Sequence, residues 1–191
     1  VKRLHLFELY NGHPLVYNWG EHVTYHHVST EAKWDSLLSG GMRIYGVSSD
    51  DAHIFQAFSS DQSNPGRGWV MVRSDTLTPS AVTEAMARGD FYASSGVILR
   101  EVETGGARYA ISVDTVATNR ELASPFLIGR RADETKPGYF IQFFGDRGRL
   151  LYEVEGLEAS YTPKADDAYV RAKVTCRRRK GSLILEHYAL K

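Results

Sequence analysis

The chain has 191 residues, of which 42% are hydrophobic and 12% aromatic. This length suits one large domain or two small ones, and the composition is that of a folded protein. Lysine plus arginine equals aspartate plus glutamate at 23 each, so no net charge favours nucleic acid or an anionic membrane. No apolar run is long enough to span a bilayer. The single cysteine, Cys176, allows no internal disulfide, which suits the cytoplasm and does not exclude export.

Strand and helix patterns alternate in the first half of the chain. Three elements are predicted in succession: a buried strand at Leu4 to Tyr10, a helix from Ser29 or Thr30 to about Leu38, and a short strand from Ile44 to Val47. This order is the repeat of a parallel α/β sheet. Thr78 and Pro79 predict the start of a second helix, which Gly89 ends.

The pattern changes near Gly96, and no helix is predicted from Val97 onward. Short apolar or alternating runs follow, separated by turn signals, at Val97–Val102, Tyr109–Val113, Phe126–Ile128, Tyr139–Phe144, Leu150–Val154, Tyr169–Val174 and Leu183–Leu190. Strands at this spacing are typical of an antiparallel sandwich. We therefore expect two domains, an α/β domain at residues 1–96 and an all-β, β-sandwich-like domain at residues 97–191.

Asp51 and His53 follow the predicted strand at Ile44 to Val47. Ligands bind at the carboxyl ends of parallel strands, and side chains two residues apart in an extended chain point to the same side. A carboxylate oxygen and an imidazole nitrogen aimed at one point can bind zinc, manganese or iron. The alternative is a strand-to-loop turn in which the aspartate caps the next element and the histidine is solvated.

Two further residues are candidates for substrate binding. His13 follows the end of the first predicted strand, so it can point into a cleft or be an ordinary loop histidine. Arg67 lies in a loop between glycines, where it can contact an anionic substrate or remain a flexible surface arginine.

Three blocks of the sequence carry a resemblance to a known family. They read YNGHP at Tyr10–Pro14, WDSLLSGGMRIYGVSSDDAH at Trp34–His53, and PGRGWVMVRSDTLTPSAVTEAMARGDFYASSGV at Pro65–Val97. In order and spacing they resemble the C-terminal part of the PHP (polymerase and histidinol phosphatase) superfamily of metal-dependent phosphoesterases. Within that superfamily they resemble bacterial members in which a β-rich domain follows the PHP domain. The resemblance covers roughly residues 4 to 97.

The resemblance implies a fold, an activity and a site. Residues 1–96 would form the C-terminal part of a distorted (β/α)₇ barrel. The late Asp-x-His motif of the family falls on Asp51 and His53, which would bind divalent zinc, manganese or iron and be the catalytic residues. Glu8 and His13 accompany the YNGHP block and would support the metal ligands or contact substrate. The reaction would be the hydrolysis of a phosphorylated small molecule by a metal-activated water.

The sequence departs from the family in one large respect. The opening His-x-His motif of the family would precede residue 1, and no His-x-His occurs in this chain. Two ligands do not hold a catalytic metal cluster, so the expected partner is an N-terminal barrel half or a second polypeptide. The alternative is a non-catalytic module in which the β domain binds a glycan or a protein and the metal site is vestigial.

Overall fold

The structure is a computed structural model that describes residues 5–20, 26–132 and 136–191. In the first half the elements are β1 (Leu6–Asn11), α1 (Thr30–Ser39), β2 (Tyr45–Ser49), β3 (Trp69–Val72), α2 (Pro79–Arg88) and β4 (Phe91–Ser94). In the second half they are β5 (Leu99–Glu103), β6 (Tyr109–Val113), α3 (Thr115–Glu121), β7 (Arg130–Arg131), β8 (Gly138–Gly145), β9 (Arg149–Glu155), β10 (Glu158–Tyr161), β11 (Arg171–Lys180) and β12 (Leu183–Leu190).

The first strand-helix-strand unit forms as predicted. β1 and β2 pair in parallel, and α1 connects them. The Ser29 side chain accepts a hydrogen bond from the backbone N–H of Ala32, which satisfies a free donor in the first turn of α1. Trp34 is buried in the core beside β1 and donates its indole N–H to the carbonyl oxygen of Ile44 at 3.0 Å. The unit therefore fixes the carboxyl ends of β1 and β2 side by side.

The predicted combination of a partial (β/α)₇ barrel with a separate all-β domain is wrong. The fold is mostly β, with 38% of residues in strands and 17% in helices, its sheets are largely antiparallel, and the described residues form no barrel. β3 and β4 pair antiparallel with each other, and β4 pairs antiparallel with β12. All four residues of β4 are buried, and its partner β12 comes from the other end of the described chain. Short apolar runs carry no signal for strand orientation, which is why the sequence did not exclude the barrel.

Two sheets enclose the main core. A seven-stranded sheet has the order β3-β4-β12-β11-β8-β9, with β7 pairing to β12, and a three-stranded sheet has the order β10-β6-β5. Ile111 of the smaller sheet and Ile141, Phe143 and Val174 of the larger one lie in a single buried cluster. The larger sheet contains strands from both sides of the predicted boundary at residue 96, and that boundary stays a prediction.

A helix lies where none was predicted. α3 has only seven residues and follows Asp114, whose side chain accepts a hydrogen bond from the backbone N–H of Ala117. Thr118 is its one buried residue, while Val116 is exposed, so the helix has no apolar stripe that would reveal it. In the described part of the chain, no helix is both long and apolar enough to cross a membrane.

A buried ion pair joins α1 to the larger sheet. The guanidinium of Arg171 in β11 donates to both carboxylate oxygens of Asp35 in α1, at 2.6 and 2.7 Å. Tyr169 also donates its hydroxyl to Asp35 at 2.7 Å. Both charged side chains are less than a tenth exposed. This contact attaches the β1-α1-β2 unit, and with it the candidate site, to the antiparallel sheet.

Candidate functional site

Asp51, His53 and His13 converge at the carboxyl ends of β1 and β2. His53 Nε2 lies 3.4 Å from Asp51 Oδ1, and the ring centroids of His13 and His53 are 5.6 Å apart. His13 is on the loop that follows β1, and the other two residues are on the loop that follows β2. The parallel pairing of the strands explains why residues 40 positions apart in the chain meet here.

The backbone at Asp51 is not extended. Its φ is +48°, in the left-handed region that a non-glycine residue seldom adopts. Asn11 at the end of β1 donates its side-chain N–H to Asp51 Oδ2 at 3.2 Å. The two side chains therefore meet because the chain turns, and not because of the strand alternation from which their convergence was predicted. Unusual backbone conformations of this kind cluster at functional sites.

His13 has a defined tautomer in this arrangement. The backbone N–H of Leu15 donates to His13 Nδ1 at 3.1 Å. With Nδ1 as an acceptor, the proton of the neutral ring lies on Nε2, which is then a donor and not a metal ligand. The geometry therefore favours contact with a substrate oxygen over metal binding, and that role stays a prediction.

The loop after β2 is closed at its base by Asp50. Its carboxylate accepts three backbone hydrogen bonds, from Gly66 at 3.0 Å, Arg67 at 2.6 Å and Gly68 at 2.8 Å. Successive backbone N–H groups of this kind form a nest that binds anions. These bonds hold the two ends of the loop together, and His53 lies within the loop.

Arg67 is fully buried, which neither prediction for it anticipated. Its Nη2 donates to the carbonyl oxygen of Ser59 at 2.5 Å and to Asn64 Oδ1 at 3.1 Å. Burial lowers the pKa of the guanidinium, opposed by the nearby charges of Tyr10, Asp50 and Asp61. A flexible surface arginine is excluded in this conformation, and contact with substrate stays a prediction.

Three polar residues of the site were not identified from the sequence: Asn11, Asp50 and Asn64. Asn11 precedes a glycine in a loop signal, and Asp50 adjoins Asp51, so weak signals existed for both. Asn64 is fully buried in a segment that looked irregular. Glu8, expected to support the site, is exposed and accepts a hydrogen bond from Ser49 Oγ at 2.5 Å.

The donor set fits part of a metal site. Asp51 and His53 are close enough to share one ion, and their side chains are 40% and 65% exposed, so both are accessible to solvent. Among residues 5–20, 26–132 and 136–191, no group of three or more His, Cys, Asp or Glu residues could hold a metal ion. A cavity of about 210 Å³ is lined by His13 together with Trp19, Glu186 and Tyr188.

We compared the chain with protein families, curated proteins and solved structures. No family model matches the chain, and neither a curated protein nor a solved structure is significantly similar to it. The likeness to the PHP superfamily therefore rests on the three sequence blocks, and it stays a prediction. The loop geometry after β1 and β2 is the structural basis for a functional proposal.

Proposed function

We propose that this chain is part of a metal-dependent hydrolase of the PHP superfamily that cleaves phosphate esters. The observation that carries the proposal is the 3.4 Å approach of His53 Nε2 to Asp51 Oδ1 beside the ring of His13. Carboxylate and imidazole are ligands common to zinc, manganese and iron. The proposal does not depend on the barrel, which the fold excludes.

Each residue of the cluster has one role. Asp51 and His53 are the metal ligands, and Asn11 holds the carboxylate of Asp51 through its side-chain amide. His13 Nε2–H donates to a phosphoryl oxygen of the substrate. When bound, divalent ions lower the pKa of water and neutralise phosphoryl oxygens. The remaining ligands come from a partner, either an N-terminal segment or a second polypeptide, since structural and catalytic sites need three or four protein ligands.

The ligand assignment is tested by titrating the chain with Mn²⁺ and following the imidazole signals in NMR spectra. Mn²⁺ broadens signals near it even when binding is weak, which suits a site with two ligands. We expect the His53 and His13 signals to broaden first, while the signal of His5, before β1, stays sharp. In Asp51→Ala, broadening at His53 should require at least about tenfold more Mn²⁺, because a ligand is lost.

Matched controls separate this site from general cation binding. Asp75 is an exposed carboxylate outside the loop of residues 50–68, so Asp75→Ala should titrate like the wild-type chain. Equal broadening of His5 and His53, or an unchanged titration of Asp51→Ala, contradicts the assignment. A panel of phosphomonoesters, phosphodiesters and glycosides, tested on the metal-loaded assembly, then separates a phosphoesterase from another hydrolase.

A further inference from the structure

A polar network inside the loop of residues 50–68 connects its base to His53. Asn64 lies at the centre of the network and is fully buried. Its Nδ2 donates to the carbonyl oxygens of Ile54 at 2.9 Å and Ala57 at 2.8 Å, and its Oδ1 accepts from the backbone N–H of Ser59 at 3.1 Å. One side chain thus replaces the regular hydrogen bonds that this irregular segment lacks.

Arg67 extends the network from inside the same loop. Its guanidinium binds both Asn64 Oδ1 and the carbonyl oxygen of Ser59, while its backbone N–H binds Asp50. Nε and Nη1 of Arg67 are buried and have no hydrogen-bond partner among the residues that the structure describes. A buried guanidinium is costly unless its charge is compensated, and the carboxylate of Asp50 is held against its backbone. Asp50, Asn64 and Arg67 are therefore joined in one hydrogen-bonded network.

The network reaches the candidate ligand through the backbone. The N–H groups of His53 and Ile54 both donate to the carbonyl oxygen of Ser63, at 2.9 and 3.0 Å. Ser63 immediately precedes Asn64. Asp50, at the other end, immediately precedes Asp51. The positions of both candidate ligands thus depend on residues that do not touch them.

We propose that Asp50, Asn64 and Arg67 are positioning residues, which hold Asp51 and His53 together by fixing the loop of residues 50–68. This role rests on the proposed function, in which Asp51 and His53 bind a metal ion. A metal site gains affinity when its ligands are held in place before the ion binds. It also gives Arg67 a role inside the loop, in place of direct contact with substrate. Neither His53 nor Asp51 needs a metal ion to be held near the other.

The test uses the metal-free chain and the variant Asn64→Ala. In the wild-type chain the amides of His53 and Ile54 should be protected from hydrogen exchange, and a nuclear Overhauser effect should connect the rings of His13 and His53. In Asn64→Ala we expect exchange of both amides to rise at least about tenfold, since several buried hydrogen bonds are lost. The ring-to-ring signal should disappear, while amides in β11 and β12 stay protected.

Two further variants grade the effect. Asp50→Ala removes all three acceptor contacts at the base of the loop, whereas Asp50→Asn keeps one oxygen acceptor and should restore part of the protection. Gln56→Ala, at an exposed position of the same loop, should leave exchange and the ring-to-ring signal unchanged. If Asp50→Ala unfolds the whole chain, Asp50→Asn and Asn64→Ala still decide the matter.

The outcomes separate this inference from the proposed function. An unchanged ring-to-ring signal in Asn64→Ala overturns the positioning role, even if the loop amides exchange faster, because the loop would then be only structural. Unchanged amide exchange overturns it as well. Loss of the signal supports the positioning role whether or not Mn²⁺ binds, and a failure of Mn²⁺ to broaden His53 in the wild-type chain counts against the metal site alone.

Discussion

Replacing Arg171 with methionine should lower the free energy of unfolding by about 3–5 kcal/mol. Arg171 is 4% exposed and holds Asp35 with two short hydrogen bonds, and Glu31 lies 3.3 Å from its Nη1. Without the guanidinium, two carboxylates remain near each other in or beside the core. Tyr169 still donates to Asp35, but a hydroxyl does not neutralise a buried charge. Urea unfolding followed by circular dichroism measures the loss.

Two further variants test whether the loss of stability comes from the buried charge of Asp35. Arg108 and Glu103 form an ion pair in which both side chains are more than half exposed, so Arg108→Met should change stability by less than about 1 kcal/mol. The double variant Asp35→Leu with Arg171→Met should recover much of the loss, because no unpaired aspartate remains. A loss below about 1 kcal/mol in Arg171→Met alone would mean that the pair does not fasten α1 to the sheet.

Acid should destabilise the protein through His187 in β12. Burial lowers the pKa of His187 from 6.5 to about 4, a hydrogen bond to the Ser95 carbonyl oxygen opposes this, and the charges of Arg178 and Lys180 add to the lowering. The folded chain therefore keeps His187 neutral at a pH where the unfolded chain has protonated it. Stability from this residue is complete above about pH 6.5 and is lost as the pH falls towards 4.

The size of the effect follows from the two pKa values. The loss between pH 6.5 and 4 is about 3 kcal/mol for one histidine that is 5% exposed. In His187→Asn the amide can still donate to Ser95, so the slope of stability against pH should flatten in this window. His5→Ala, at an exposed position, should keep the wild-type slope. Equal slopes in wild type and His187→Asn would contradict the neutral, buried state of His187.

Local signals in the sequence predicted the first two helices well. Ser29 and Thr78 accept hydrogen bonds in the first turns of α1 and α2, and Gly89 ends α2 with a φ of +81°. These interactions occur within a few residues, so the sequence contains them. The seven-residue α3 was missed because only its cap, Asp114, carried a signal.

Long-range pairing was not predictable in the same way. β4 pairs with β12, whose Ala189 and Leu190 lie opposite Ser94 and Ala93. Nothing in a four-residue apolar strand specifies a partner almost a hundred residues away, or its direction. The family likeness implied a (β/α)₇ barrel, and that expectation produced the wrong fold class.

The sequence predicted that Asp51 and His53 lie close together, but it did not predict what brings them together. Asp51 and His53 approach each other as expected, but through a left-handed turn at Asp51 that alternation along a strand does not describe. Arg67 was expected at the surface or at a substrate, and it lies inside its loop with Asn64. A side chain that satisfies the backbone of an irregular loop leaves no periodic pattern, so such residues are found only in the folded structure.

The central claim is that Asp51 and His53 belong to a metal centre completed by a partner. Native mass spectrometry with elemental analysis, on protein isolated from its natural source, tests it most directly. We predict an assembly heavier than the 21.4 kDa chain that carries divalent zinc, manganese or iron and hydrolyses phosphate esters. A metal-free chain of 21.4 kDa that stays alone and inactive when these ions are added would contradict the account.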